Sequence, residues 1–293
     1  MRIGILSRAA GAYSTRALML AASRAGHQTA VMDPWKCALY IRAGSPRVMY
    51  EGSSVDHLDA VIARFGSATA AYGIEVLRQF ESAGAFALNS AAAVETARHK
   101  WRSLLAFEKA GLPIPPTFTA GDANVLEKAV KRVGGYPFIA KPFEGTQGSG
   151  IILFETPVSA KSTLSALWSL SRNYIGQQFY PEAEGVDIRA MVIGEKVEGA
   201  IRRVAPKGEF RANLHCGGAG YMTRISPSME RVAVAAAKAV GLGFAGVDML
   251  QVGQDIYVLE ANPSPGLEGI ETATGIDMAA RVIRYVETLL KGK

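Results

Sequence analysis

Three oxygen-bearing side chains near the carboxyl end of the chain have a spacing that can hold a cation. The segment GVDMLQVGQDIYVLEANPSPGLEG, residues 246–269, reads as two strands around a tight turn. With Gly253, Gln254 and Asp255 as a three-residue loop, residue 252 pairs with 256, 250 with 258 and 248 with 260. Asp248 then faces Glu260, and Asn262, two residues further on, shares their side of the hairpin. Adjacent carboxylates repel unless something positive lies between them, and an all-oxygen set suits a hard cation such as magnesium. The competing expectation puts both acids on the solvent face of an edge hairpin. Apolar Val247, Met249, Val258 and Leu259 around them argue against it.

Magnesium is commonly held by a few carboxylates and otherwise by substrate phosphates, so basic and phosphate-binding groups should accompany these acids. EGTQGSG at 144–150 supplies Gly145, Gly148 and Gly150, with Thr146 and Gln147 between them. Such a loop lets backbone amides approach an anion closely. It is not a Walker loop, because Ile151 follows Gly150 where a Lys-Ser/Thr pair would be needed. Lys141 interrupts an apolar strand four residues before Gly145, and a lysine in that position needs an anionic partner. Arg189, Arg202, Arg203, Lys207 and Arg211 lie in or between the two strands that precede the hairpin, and Asn213 follows them.

The elements that must position these groups fall into three segments. In residues 1–95 the strand-like stretches 2–7, 29–33, 58–65 and 86–89 are separated by helix-like ones, the signature of a small parallel α/β sheet. Arg8 and Arg64 follow or end two of these strands, at the edge where open α/β sheets bind ligands, which makes both candidates for holding an acidic substrate. Residues 90–110 read as a helix and the proline-rich GLPIPPTF at 111–118 as a linker. The segment 96–178 then carries the glycine-rich loop as a lid between strands at 137–143 and 151–155. The segment 179–293 carries strands at 187–193 and 196–204, a helix capped by Ser226-Pro227, the metal hairpin and a final helix near 277–290.

Composition narrows the classes of function. The chain has 293 residues, 49% hydrophobic and 20% charged, with 32 basic and 26 acidic residues for a net charge of +6. That excludes a fibrous or mainly disordered protein. The surplus sits in the middle segment, 10 basic against 5 acidic for 96–178. No basic block of five appears, so direct nucleic-acid binding is not expected. No apolar run reaches the length of a membrane span, and Arg8 stands where a signal peptide would carry its apolar stretch, so a cytoplasmic protein is expected. Cys37 and Cys216 lie far apart, and the four histidines show no short metal spacing.

Taken in order, ILSRAAGAYS, FEGTQGSG, EGVDIR, GEFRANLH, GVDML, LEANPSPGLEGIE and TGID resemble the RimK-type ATP-grasp glutamate ligases nearly end to end. The resemblance implies an ATP-grasp fold of α/β class, with α+β lobes and an amino-terminal Rossmann-like domain. It implies that Lys100 and Lys141 contact ATP phosphates, that Gln178 and Phe179 form the adenine hinge, and that Asp187 holds the ribose. Arg189, Arg211 and Asn213 then reach the phosphates, and Asp248, Glu260 and Asn262 bind two magnesium ions, with manganese as a substitute. Arg203, Arg202 and Arg211 become the candidates for stabilising the reacting groups. Cys216 stands where the family's NLHRGG has arginine, and His99 where an aspartate precedes the lysine.

The activity so implied is addition of glutamate to a carboxyl-terminal glutamate of a protein or peptide, through an acyl phosphate. The acceptor would be a ribosomal small-subunit protein or a growing poly-α-glutamate, and the enzyme a homo-oligomer. Two alternatives stand beside it: a ligase that extends a small metabolite or cofactor tail, and an ATP-binding regulator without turnover.

Overall fold

The computed structural model describes residues 1–293 except 43, 56, 146–148, 184, 213–216 and 292–293. The first sheet is parallel, in the order Gln28–Met32, Arg2–Leu6, Ala60–Ala63, Phe86–Ala87. Beyond the exposed Arg2, its two central strands are buried, as expected of strands covered on both faces. The strand order reverses at Arg2–Leu6, so the crevice between its end and that of Ala60–Ala63 is the topological switch point where open α/β sheets take ligands. A three-stranded antiparallel sheet, Cys37–Arg42, Ser45–Tyr50 and Ser53–Ser54, adds to this region. The sequence patterning gave no expectation of it; Pro46 inside the middle strand weakens the signal.

The segment expected to be one helix over 90–110 is two, Ala91–Arg98 and Lys100–Lys109. His99 breaks it with an extended backbone, and its Nδ1 accepts from Arg102 N at 3.3 Å. Histidine thereby caps the second helix, as the aspartate it replaces would. The break makes Lys100 the first helical residue, and its amide donates to Phe143 O at 2.8 Å. The linker also differs: Thr117–Thr119 is a strand of the antiparallel sheet ordered Ile152–Phe154, Phe138–Pro142, Tyr174–Gln178, Thr117–Thr119. Prolines fit there because the strand is an edge.

The third sheet is antiparallel: Ala219–Met222, Lys196–Val204, Val186–Ile193, Phe244–Val252, Asp255–Asn262. One face carries Ala190, Val192, Val247 and Met249 against the helix Pro227–Ala239, whose Ala233, Ala236 and Ala237 allow close approach. Ser226 caps that helix through Met229 N at 3.2 Å. The other face is divided. Met191, Ile193 and Ile201 join a core with Ile3, Ile5 and Leu18 of the first domain and with Met278, Val282 and Ile283 of the last helix. Each such side chain contributes about 1.5–3 kcal/mol on burial. The remainder of that face is polar and opens to a cleft.

Candidate active site

Two direct cross-strand pairs line the polar part of the sheet. Asp187 lies opposite Arg203, and Arg189 opposite Asp248. Arg203 donates to Asp187 through Nε and Nη2, both at 2.6 Å, and through Nη2 to Asp248 Oδ2 at 2.7 Å. Arg189 grips the same Asp248 through Nε and Nη2, both at 2.7 Å. Arg203 and Asp248 are 2% and 3% exposed, so this chain of charges is sheltered from solvent. Burial works against the Asp248 charge, but the Arg189 and Arg203 guanidinia overcome it and hold the carboxyl below the ordinary range.

The hairpin reaches its expected geometry by a different route. Its loop has two residues, Gly253 and Gln254, so Val252 pairs with Asp255. Gly253 has φ +59, as a two-residue hairpin requires at its first position. That shifts the expected pairing by one residue, Leu250 meeting Tyr257 and Met249 meeting Val258. An irregularity between Asp248 and Met249 then leaves Leu259 as the extra residue of a bulge, and Asp248 faces Glu260 after all. Asn262 lies opposite Gly246, on the same side.

The donor set fits a hard cation. Among the described residues Asp248 Oδ1 accepts a single bond, from Arg189 Nε, which leaves it a lone pair. Asn262 Oδ1 accepts from Ser264 N at 2.9 Å, and Glu260 has Lys100 Nζ at 3.9 Å as its ion-pair partner. Among the described residues no three His, Cys, Asp or Glu side chains are grouped to hold a metal, so a site built on Asp248 and Glu260 would draw its third oxygen from the Asn262 amide.

A cleft of about 770 Å³ collects Arg8, Arg64, Lys100, Gly145, Arg189, Arg203, Glu260 and Asn262 in its lining. Lys100 Nζ also donates to Gly145 O at 3.4 Å, linking the glycine-rich loop to the hairpin. Lys141 lies next to this region, its Nζ donating to the neutral Gln177 Oε1 at 2.6 Å. Burial pushes it down to about 8, opposed chiefly by Glu260. The anionic contact anticipated for this lysine is therefore not a close one within the described chain.

The first domain presents its arginines as its strand order requires. Arg64 directly follows Ala60–Ala63, and its amide donates to Leu6 O at 2.8 Å. Its Nη1 donates to Pro265 O at 2.8 Å, while its buried Nε finds no hydrogen-bond partner. No acid among the described residues is paired with it, and burial pushes this guanidinium down to about 10. Arg8 is half-exposed, with Asp33 at 3.7 Å. Asn89 fixes the domain to the hairpin, donating to Phe244 O at 2.8 Å and Pro263 O at 2.9 Å.

Other expected site residues are placed differently. Arg202 is exposed on the opposite face of its strand from Arg203, because successive strand residues alternate, and it does not line the cleft. Arg211 is paired with Glu209, at 2.6 Å from Nη2, and is outside the lining. Asp187, expected on a ribose, has both oxygens engaged by Arg203. Gln178 ends its strand with its amide on Pro116 O at 2.9 Å, and Phe179 meets Phe210 edge-on at 6.1 Å. Thr146, Gln147, Gly148, Asn213 and Cys216 lie outside the described residues. Arg98 is a cleft residue the sequence did not single out. It ends the helix before the His99 break, and reading 90–110 as continuous hid its position.

The first and third sheets meet at this cleft and the loop after Phe138–Pro142 reaches it at Gly145, an arrangement of the ATP-grasp architecture. The solved structure of the ATP-grasp ligase PsnB complexed with a minimal precursor has the same fold, with a TM-score of 0.75, 21% identity and coverage of 98% of this chain and 97% of that one. The chain belongs to the RimK family: the RimK PreATP-grasp domain matches residues 1–94 and the RimK-like ATP-grasp domain residues 97–286. It is an ATP-dependent ligase. The protein named "Probable alpha-L-glutamate ligase" from Pseudoalteromonas translucida is 44% identical over 293 residues, covering 100% of this chain and 97% of that protein. Its namesake from Thioalkalivibrio sulfidiphilus is 44% identical over 287 residues, covering 98% and 95%. No described helix is long and apolar enough to cross a membrane.

Proposed function

We propose that this chain adds glutamate to a carboxyl-terminal glutamate of a protein or peptide, with ATP activating the acceptor carboxylate as an acyl phosphate. The carrying observation is the single cleft in which Arg8 and Arg64 of the first domain meet Lys100, Arg189, Arg203, Glu260 and Asn262. The full-length similarity to proteins named as glutamate ligases supports the choice of amino acid. A ribosomal small-subunit protein and a poly-α-glutamate chain are both acceptors with the required end.

In this reading Lys100, Lys141 and the loop backbone at Gly145 bind the ATP phosphates, with Thr146, Gln147, Gly148, Arg211 and Asn213 as further contacts. Gln178 and Phe179 border the adenine. Asp248, Glu260 and Asn262 hold magnesium, or manganese in its place, as two ions that offset polyphosphate charge. Arg64, with Arg8, takes a carboxylate that does not react, because a guanidinium fork matches a carboxylate through two bonds. The acceptor carboxylate oxygen attacks the γ-phosphorus, ADP leaves, and the glutamate amine then displaces phosphate to form the amide. Charge grows first on the phosphoryl group and then on the tetrahedral oxyanion. Arg203 is held on one side by Asp187 and on the other by Asp248, so its guanidinium is fixed in place at the cleft wall and needs no reorganisation. Arg189 shares that task at the cleft wall.

The test is phosphate release by purified protein given ATP, magnesium and a glutamate-ended peptide, with and without free glutamate, together with the peptide's mass. Release coupled to a peptide heavier by one or more glutamyl units supports the reading. Release without any heavier peptide sinks it.

A further inference from the structure

A second cavity, of about 450 Å³, lies beside the reaction cleft and shares Tyr13 with it. One wall is a single face of the helix Tyr13–Arg24, formed by Tyr13, Arg16, Ala17, Leu20 and Arg24 at helical spacing. The other wall runs from Glu271 to Asp277, the second half of the helix Glu268–Thr274 and the residues after it, and follows directly on the cleft residues Glu268, Gly269 and Ile270. Tyr13 Oη donates to Glu271 Oε2 at 2.8 Å, joining the two walls.

The acids of this groove are already committed. Glu271 accepts from Tyr13 through one oxygen and from Ala279 N, at 3.0 Å, through the other. Asp277 Oδ1 accepts from Ala280 N at 2.9 Å, and its Oδ2 lies 3.6 Å from Arg24. Arg16 is exposed and makes no ion pair among the described residues. Leu20 is 52% exposed on the same face, an apolar surface between two arginines. Glu271 keeps its charge, since both its donors are neutral, and Arg16 is the groove cation left without an ion pair among the described residues, beside the apolar strip of Leu20.

We infer that this groove binds the acceptor chain upstream of its reacting carboxyl end, and that it favours acidic residues there. The inference rests on the proposed function, which places the end of a chain in the cleft. An extended chain advances about 3.3–3.6 Å per residue, so only residues beyond the first few can occupy a neighbouring cavity. Once glutamates have been added, those upstream residues are themselves carboxylates, and Arg16 supplies the matching charge. The groove would then act on long acceptors and leave short ones alone.

The experiment compares diglutamate with a six-residue α-linked glutamate peptide as acceptors, for the unaltered protein and for Arg16→Glu, with Arg16→Lys as the charge-keeping variant. The expected result is a KM for the longer peptide raised tenfold or more in Arg16→Glu, largely recovered in Arg16→Lys, with KM for diglutamate and for ATP unchanged. No change for the longer peptide overturns the groove, and so does an equal rise for both acceptors. If the unaltered protein extends neither peptide, the proposed function itself has failed, an outcome distinct from loss confined to the variant.

Discussion

Arg203 bridges Asp187 and Asp248, with its Nη2 2.6 Å from one carboxylate and 2.7 Å from the other. The three side chains come from neighbouring strands of one sheet, so a single guanidinium sets the spacing of a buried acid, Asp248, and a half-buried one, Asp187. Removing it takes from both carboxylates, whose side chains are only 13% and 4% exposed, the guanidinium they share. Arg203→Met should lower stability by about 3–5 kcal/mol, the usual cost of breaking a buried ion pair from one side. The urea midpoint measures this. A shift near that of an ordinary surface substitution would show the network to be dispensable.

Glu260 makes the opposite case. Its side chain is 33% exposed and its ion-pair partner is 3.9 Å away, so little of the fold depends on it. Glu260→Ala should keep the thermal midpoint of the unaltered protein and lose ATP turnover, because a metal ligand has gone. Addition of magnesium and a nonhydrolysable ATP analogue should stabilise the unaltered protein and not the variant. A folded Glu260→Ala protein with normal turnover would remove Glu260 from the metal site.

Lys141 gives a pH dependence with a defined sign. Burial pushes it down to about 8, below its value in an unfolded chain. From pH 8 up to the ordinary lysine range the unfolded state therefore binds more protons, and this group's contribution to stability rises with pH across that window. Phosphate binding runs the other way, because an anion prefers the protonated amine. Affinity for an ATP analogue should fall as pH rises above about 8, approaching tenfold per pH unit where only the bound form keeps the proton. Lys141→Met should bind more weakly and flatten the slope. An unchanged slope in that variant would assign the dependence to another group.

Arg64 should divide the Michaelis constants. Arg64→Ala is expected to raise KM for glutamate or the acceptor much more than for ATP, a loss of about 1.5–3 kcal/mol for a charged hydrogen bond. Arg64→Lys should restore little, since it supplies charge without the fork. Equal effects on ATP and on the acidic substrates would place Arg64 outside substrate binding.

Much of this was legible from strand periodicity. Arg8 and Arg64 were expected at the carboxyl edge of a parallel sheet, and both line the cleft. Asp248 was expected opposite Glu260, and it is, although two departures from the expected hairpin cancel: a shorter turn and a bulge at Leu259. Pairing near a turn depends on loop length, which a sequence of Gly, Gln and Asp leaves open between two residues and three. Arg202 and Arg203 could not be separated from spacing alone, because the register that buries one and exposes the other is set by neighbouring strands. The Asp187–Arg203–Asp248–Arg189 chain was not anticipated either. It requires knowing that the strand Val186–Ile193 lies between Lys196–Val204 and Phe244–Val252, a long-range pairing with no local signal. The His99 break was hidden for a related reason, since histidine is a less familiar helix cap than the aspartate it replaces.

The central claim is that an acceptor carboxylate is activated by ATP in this cleft and captured by glutamate. It is tested most directly by labelling the terminal carboxylate of a glutamate-ended peptide with oxygen-18 and following both products by mass spectrometry. The account predicts a peptide extended by glutamate and one labelled oxygen in each phosphate released, because the acyl phosphate passes a carboxylate oxygen to phosphorus. Extension with unlabelled phosphate would contradict the acyl phosphate, and labelled or unlabelled phosphate with no extended peptide would contradict the ligase assignment to this acceptor.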